Sequence, residues 1–142
     1  MTSASAKTFA GGGATYPILS QGGAGALTIT GSNSFDDIQT TTRPSTITFP
    51  AATTTTVSEF TLTGTAGNLV TINSVTPGTQ FTLYRLTGTT NASYLSIQDS
   101  NATGGAVWNA GEGSVNVSNN SGWIFTTPPS PSTGAGNFFA FF

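Results

Sequence analysis

The sequence predicts an all-β protein, and three observations lead to that prediction. Short segments alternate between apolar and polar residues, as in Phe60-Thr61-Leu62-Thr63 and Val70-Thr71-Ile72-Asn73. Strict alternation places apolar side chains on one face of an extended strand and hydroxyl groups on the other. Turn-forming residues such as Gly64-Thr65-Ala66-Gly67 separate the segments. No stretch longer than a turn or two has apolar residues at the three- and four-residue spacing of an amphipathic helix.

The strand segments recur in two interleaved series along the chain. One series contains Leu27, Ile47, Val70 and Leu95, and the other contains Phe35, Phe60, Phe81 and Val107. The spacing within each series is roughly 20 to 26 residues, which is typical of β-solenoid repeats. We therefore expect a short, β-helix-like solenoid of about four coils with its apolar residues facing inward. An antiparallel β-sandwich or jelly roll is the alternative, because its short strands and turns also recur at close intervals.

The composition divides the chain into three parts. Residues 1–25 are small and glycine-rich, and we expect an extended arm. Its apolar anchor is predicted to consist of Tyr16, Pro17, Ile18 and Leu19. Residues 26–125 contain the strand segments from Leu27 onward and form the predicted β domain.

The third part, residues 126–142, combines a Pro-rich spacer with an aromatic C-terminal anchor. The anchor consists of Phe138, Phe139, Phe141 and Phe142. An exposed aromatic cluster of this kind is an aggregation hazard for a single chain. We therefore expect the anchor to dock on a partner or within a homo-oligomer, with packing against its own core as the alternative.

Residues 99–125 interrupt the regular strand pattern and contain both tryptophans of the chain, Trp108 and Trp123. The ends of a solenoid expose core and strand edges, which atypical terminal repeats normally cover. We therefore predict a cap formed by Trp108, Trp123, Ile124 and Phe125. Stacking of the two indoles on a sugar ligand is the alternative.

The side-chain inventory argues against several classes of function. Only 6% of the residues are charged and the net charge is −2, so a basic surface for nucleic acid is absent. The chain has no histidine and no cysteine, so we expect no enzymatic activity, no metal and no cofactor. The adjacent Asp36 and Asp37 are expected on opposite faces of a strand, unlike the facing carboxylates of a glycosidase. The apolar runs are too short for a membrane-spanning helix, so we expect no membrane partner.

Two segments resemble a module found in virion proteins of tailed bacteriophages. They are Tyr94-Leu-Ser-Ile-Gln-Asp-Ser-Asn-Ala-Thr-Gly-Gly-Ala-Val-Trp108 and Asn119-Asn-Ser-Gly-Trp-Ile-Phe125. In such proteins the module closes a Thr/Gly-rich β-repeat region, whose units are similar to residues 64–72 and 76–83 of this chain. The resemblance covers about residues 27–125 and implies a structural component of the virion.

With this resemblance, we expect a capsid decoration or cement protein on the capsid surface of the virion, assembled in the host cytoplasm. Its expected partners are the major capsid protein or other virion subunits, and a homotrimer is the favoured oligomer. A tail fibre or spike component that adheres to host-surface glycans is the alternative. An ice-binding solenoid is a third alternative, because rows of threonines such as Thr28 and Thr30 can match a flat lattice.

Overall fold

The computed structural model describes residues 1–126, and these residues form 13 β-strands and no helix. In chain order the strands are β1 (Lys7–Ala10), β2 (Thr15–Gln21), β3 (Leu27–Thr30), β4 (Ser34–Thr40), β5 (Ser45–Phe49), β6 (Thr54–Phe60), β7 (Val70–Ser74), β8 (Phe81–Tyr84), β9 (Leu95–Gln98), β10 (Ser100–Thr103), β11 (Trp108–Gly111), β12 (Val115–Ser118) and β13 (Trp123–Phe125). The prediction of an all-β protein is therefore confirmed.

The described strands form three parallel sheets. A six-stranded sheet has the spatial order β1-β3-β5-β7-β9-β12, and a five-stranded sheet has the order β10-β8-β6-β4-β2. The strands β11 and β13 pair with each other. From β1 to β10 the chain passes to the other sheet after every strand, which provides the crossover that parallel pairing requires. Every pairing between these strands is parallel, so the antiparallel alternative does not describe this fold.

The first apolar series of the sequence lies in the six-stranded sheet. Leu27 pairs with Ile47, and Val70 pairs with Leu95. All four side chains are fully buried, as the alternating pattern predicts. Burial of one such side chain stabilises a fold by roughly 1.5–3 kcal/mol.

The second apolar series is only partly placed as predicted. Phe35, Phe60 and Phe81 are buried in strands of the five-stranded sheet. Val107 is exposed and precedes β11, so its predicted place in this series is wrong. Ser100 of β10 pairs with Phe81 instead. The regular interval fails here because β9 and β10 are separated by a single residue, and the chain reaches the sheet earlier than the spacing predicts.

Polar side chains form a row on the outer face of the six-stranded sheet. Thr8 pairs with Thr28, Thr28 with Thr48, and Thr48 with Asn73. These residues are exposed or half-buried, whereas the apolar residues between them face the core. A parallel register thus places like residues side by side at the interstrand spacing of about 4.8 Å.

A break in the alternation turns two consecutive residues outward in the middle of β4. Phe35 and Ile38 are buried, whereas Asp36 is exposed and Asp37 is half-buried between them. The same three-residue spacing of buried residues recurs in the neighbouring strands β2 and β6. The prediction that Asp36 and Asp37 lie on opposite faces is therefore wrong, because the strand bends between two inward-facing residues.

The segment predicted to be a separate arm, residues 1–25, contains two strands of the main sheets. β1 pairs with β3, and β2 pairs with β4. Its glycines permit a close backbone approach: a Cβ atom on Gly23 would lie 2.1 Å from the carbonyl oxygen of Ser3. The segment differs from the prediction because its backbone pairs with neighbouring strands, which bury Leu19 and partly cover Phe9 and Tyr16.

Candidate functional site

The predicted N-terminal anchor is divided between the core and the surface. Leu19 is buried, and the ring of Tyr16 packs against Phe35 with the ring centroids 5.7 Å apart. Pro17 and Ile18 are exposed at the outward bend of β2. Tyr16 and Leu19 therefore hold the strand on its own sheet, and only Pro17 and Ile18 present a surface to a partner.

The predicted cap contains a compact aromatic cluster. The ring of Trp108 lies 5.2 Å from that of Trp123 and 5.7 Å from that of Phe60, both in edge-on geometry. The Trp108 indole N–H donates to the carbonyl oxygen of Thr103 at 2.8 Å, and the Trp123 indole N–H donates to Ser100 Oγ at 2.9 Å. Trp108 is only 2% exposed, so it is a core residue with no free face for a sugar. Trp123 is half-buried and covers it.

The other two predicted cap residues lie on β13. Phe125 is half-buried and packs against the hydrophobic core. Ile124 is exposed on the opposite side of the same strand. Thus Trp123 and Phe125 pack against the core, whereas the side chain of Ile124 faces solvent.

Asparagine side chains form hydrogen bonds with the last strands of the two large sheets, and this role was not predicted from the sequence. The Asn120 side chain donates to the carbonyl oxygen of Ile97 at 2.7 Å and to Asn116 Oδ1 at 2.8 Å. Its Oδ1 accepts from the backbone N–H of Ser100 at 2.9 Å. One amide side chain therefore pairs with backbone groups of both β9 and β10. The only sequence signal is the concentration of asparagine after β12, which is also typical of an ordinary turn.

Asp99 is the buried carboxylate of this terminal layer. Its oxygens accept from the backbone N–H of Gly78 at 2.9 Å and from Asn119 Nδ2 at 2.7 Å. Asp99 has a positive φ of 57°, which Asp and Asn tolerate better than most residues. The carboxylate therefore ties the turn before β8 to the turn after β12.

We predict that Asp99→Asn destabilises the protein by about 2 kcal/mol. Both partners of Asp99, the Gly78 backbone N–H and Asn119 Nδ2, are donors, so the NH₂ group of the new amide would face one of them and that hydrogen bond would be lost. The backbone conformation and side-chain volume are kept by this substitution. Asp36→Asn is the matched control, since Asp36 is exposed, and it should change the free energy of unfolding by less than about 0.5 kcal/mol. Urea unfolding measures both values. Equal effects of the two substitutions would show that the Asp99 contacts contribute no stability.

An ion pair between a buried arginine and an exposed glutamate lies beside the five-stranded sheet. Arg85 is 5% exposed, and its Nη2 donates to Glu59 Oε2 at 2.6 Å. Its Nε donates to the carbonyl oxygen of Ser58 at 2.7 Å, and Nη1 has no partner among the described residues. A cleft of about 270 Å³ adjoins the guanidinium and is lined by Thr56, Val57, Ser58, Tyr84, Leu86 and Thr87.

We predict that Glu59→Gln costs about 1–2 kcal/mol of folding free energy, because it leaves the buried Arg85 guanidinium without a counter-charge. The Glu59 side chain is 54% exposed, so water screening keeps the cost below that of a fully buried pair. The control is Glu112→Gln, since Glu112 is exposed and has no ion pair among the described residues. Guanidinium unfolding should separate the two variants, and identical midpoints would contradict a structural role of the pair.

The described residues contain no group of three or more histidine, cysteine or acidic side chains that could hold a metal ion. Residues 1–126 also contain no helix that is long and apolar enough to cross a membrane. Comparisons with protein-family models, with curated proteins and with solved structures gave no match to this chain. What the protein does must therefore be inferred from its own residues and contacts.

Proposed function

We propose that this protein is a structural component of a tailed-phage virion, and specifically a capsid decoration or cement protein that binds the major capsid protein and stabilises the head. The observation that carries the proposal is the neutral character of the outer surface. Lys7, Arg43 and Arg85 all donate hydrogen bonds to acceptors within the chain. The exposed charged side chains among residues 1–126 are few, namely Asp36, Arg43, Glu59 and Glu112. The exposed polar surface consists mainly of hydroxyl and amide groups, whose burial in an assembly costs less than the burial of ions.

The position of the virion-like segments also supports the proposal. Residues 94–125 supply β9 to β13, which form the last layer of every described sheet. A module that ends a β-repeat region has to cover its core, and Trp123 and Asn120 do so here. The contacts are those expected of a terminating module, which fits the resemblance in the sequence.

We further propose that the parallel sheets are the faces of a short β-solenoid. The support is the regular alternation of strands between two sheets, with pairing partners such as Lys7 and Leu27, or Val70 and Leu95, separated by 20 to 25 residues. The coils then include β1 and β2, so the solenoid begins near residue 7 rather than residue 26. A stacked body of this kind is stiff, which suits a protein that clamps neighbouring capsid subunits.

The proposed docking elements lie at the two ends of the chain. Pro17 and Ile18 are the exposed part of the N-terminal anchor. The C-terminal anchor, which consists of Phe138, Phe139, Phe141 and Phe142, lies outside the described residues. We propose that these elements contact the major capsid protein, and that the protein acts as a homo-oligomer, with a trimer as the state favoured by the sequence analysis.

A tail fibre with glycan adhesion remains the second candidate. The cleft beside Tyr84 and Arg85 favours it, because an aromatic side chain next to hydroxyl groups suits a sugar ring. The burial of Trp108 weighs against it, since one of the two proposed stacking platforms is inaccessible.

The test of the proposal uses the purified full chain and phage heads that lack it. We expect saturable binding to the heads and a gain in their resistance to heat. Binding only to host cells or to polysaccharide would overturn the decoration role and support the fibre role. Thermal hysteresis of the free protein would support the ice-binding alternative instead.

Deletion of residues 134–142 tests the proposed C-terminal anchor. The shortened chain should keep its circular dichroism spectrum, but its affinity for heads should fall by about 100-fold, as expected when an aromatic anchor is removed. Replacement of the four anchor phenylalanines by serine controls for chain length and should give the same loss. Normal affinity of either variant would show that the anchor is not the docking element.

A further inference from the structure

The two ends of the sheets differ in how their edges are protected. At the N-terminal end, the backbone N–H of Gly22 donates to the carbonyl oxygen of Met1 at 2.7 Å, and that of Gly25 donates to Ser3 at 3.4 Å. Pro17 interrupts β2, the edge strand of the five-stranded sheet, and removes one backbone donor. The edge strand of the six-stranded sheet is β1, which carries the charged Lys7. A covering segment, an edge proline and an edge lysine all disfavour pairing with another chain at this end.

Among residues 1–126, no such device protects the C-terminal end. β12 pairs with β9 on one side and with no described strand on the other. All four of its residues are exposed, with Val115 at 47% and Val117 at 48%. Ile124 of β13 is exposed at the same end, and residues 115–125 contain neither a proline nor a charged side chain. An uncharged apolar edge strand of this kind is a template for pairing.

We propose that this edge binds a second copy of the chain, with β12 of one copy running antiparallel to β12 of the other around a two-fold axis. With the axis near Val117, this residue lies close to its own symmetry mate, so a charge there would meet a like charge. The neutral sequence Val115-Asn116-Val117-Ser118 meets this requirement. Head-to-tail growth of the six-stranded sheet would instead pair β12 with β1, where the charged Lys7 disfavours strand addition.

The proposal goes beyond the decoration role and does not depend on it. It joins two six-stranded sheets into one continuous sheet and buries Val115 and Val117 of both copies. The proposed dimer also differs from the trimer expected from the sequence, because a two-fold contact is complete with two copies.

Sedimentation equilibrium of the full chain tests the contact. We expect a dimer for the unaltered protein. Val117→Lys should raise the dimer dissociation constant by about 100-fold or more, because two lysines would meet at the two-fold axis. Val75→Lys is the matched control: Val75 is 52% exposed but lies outside the terminal layer, and this variant should remain dimeric. A monomer at all concentrations, or a trimer that Val117→Lys leaves unchanged, would overturn the proposal.

A charge-swap experiment distinguishes a direct contact from a folding defect. Val117→Lys and Val117→Glu should each be monomeric with unchanged circular dichroism, and a mixture of the two should form a heterodimer. Failure of the mixture to associate would overturn the proposal. Deletion of residues 134–142 should leave the dimer intact, and loss of the dimer on this deletion would assign association to the anchor instead. A dimer that fails to bind phage heads would count against the decoration role alone.

Discussion

Gly111→Ala should destabilise the protein by about 4 kcal/mol, a large part of the stability of an ordinary domain. A Cβ atom at this position would lie 1.8 Å from the carbonyl oxygen of Ala92, which belongs to the neighbouring backbone and is not the end of a flexible side chain. Gly111 also has a φ of 72°, where an L-residue is strained by about 1–2 kcal/mol. Guanidinium unfolding of the variant measures the loss.

Gly67→Ala is the control that separates the steric clash of the new Cβ atom from the strain of a positive φ. Gly67 has a φ of 80°, but a Cβ atom there would have no neighbour within 4 Å. We expect this control to cost only about 1 kcal/mol, the strain of a left-handed alanine. If both variants unfold at the same denaturant concentration, the close approach of the chain at Gly111 does not exist.

Trp108→Ala should cost about 4 kcal/mol, the usual loss for a buried aromatic side chain truncated to alanine. The substitution empties the space between Phe60 and Trp123. It also removes the donor to the carbonyl oxygen of Thr103. Denaturant unfolding followed by circular dichroism measures the loss without depending on tryptophan fluorescence.

The control for this prediction is Ile124→Ala in the adjacent strand β13. Because Ile124 is exposed, its truncation should change the free energy of unfolding by less than about 0.5 kcal/mol. A loss below about 1 kcal/mol for Trp108→Ala would mean that the aromatic cluster does not stabilise the last layer.

Local alternation was sufficient to predict the strands and the inward face of the regular region. Leu27 and Ile47, for example, each belong to a segment whose apolar–polar alternation is complete within four residues, and the two residues pair in register. The strands in residues 7–21 were not predicted, because glycine and other small residues surround them. Their few apolar side chains find apolar contacts only when neighbouring strands pair with them. The outward turn at Asp36 and Asp37 is likewise a property of three adjacent strands that bend together.

The cluster of aromatic and polar residues in the last layer was predictable only in part. Trp108 and Trp123 were expected together because both follow the regular strand segments, where the end of a repeat stack would otherwise expose its core. Asp99 and Asn119 were not expected, since they meet only when segments 20 residues apart lie side by side. Arg85 and Glu59, 26 residues apart, depend on register in the same way. Hydrogen-bonded polar pairs carry no periodic signal in the sequence.

The proposal that the protein is a capsid decoration protein is tested most directly by antibody labelling of purified virions. An antibody raised against the full chain is applied to intact particles, and its position is recorded by electron microscopy. We predict dense and regular labelling of the head surface and none of the tail. Labelling confined to tail fibres or spikes, or particles that carry no label, would contradict the decoration role.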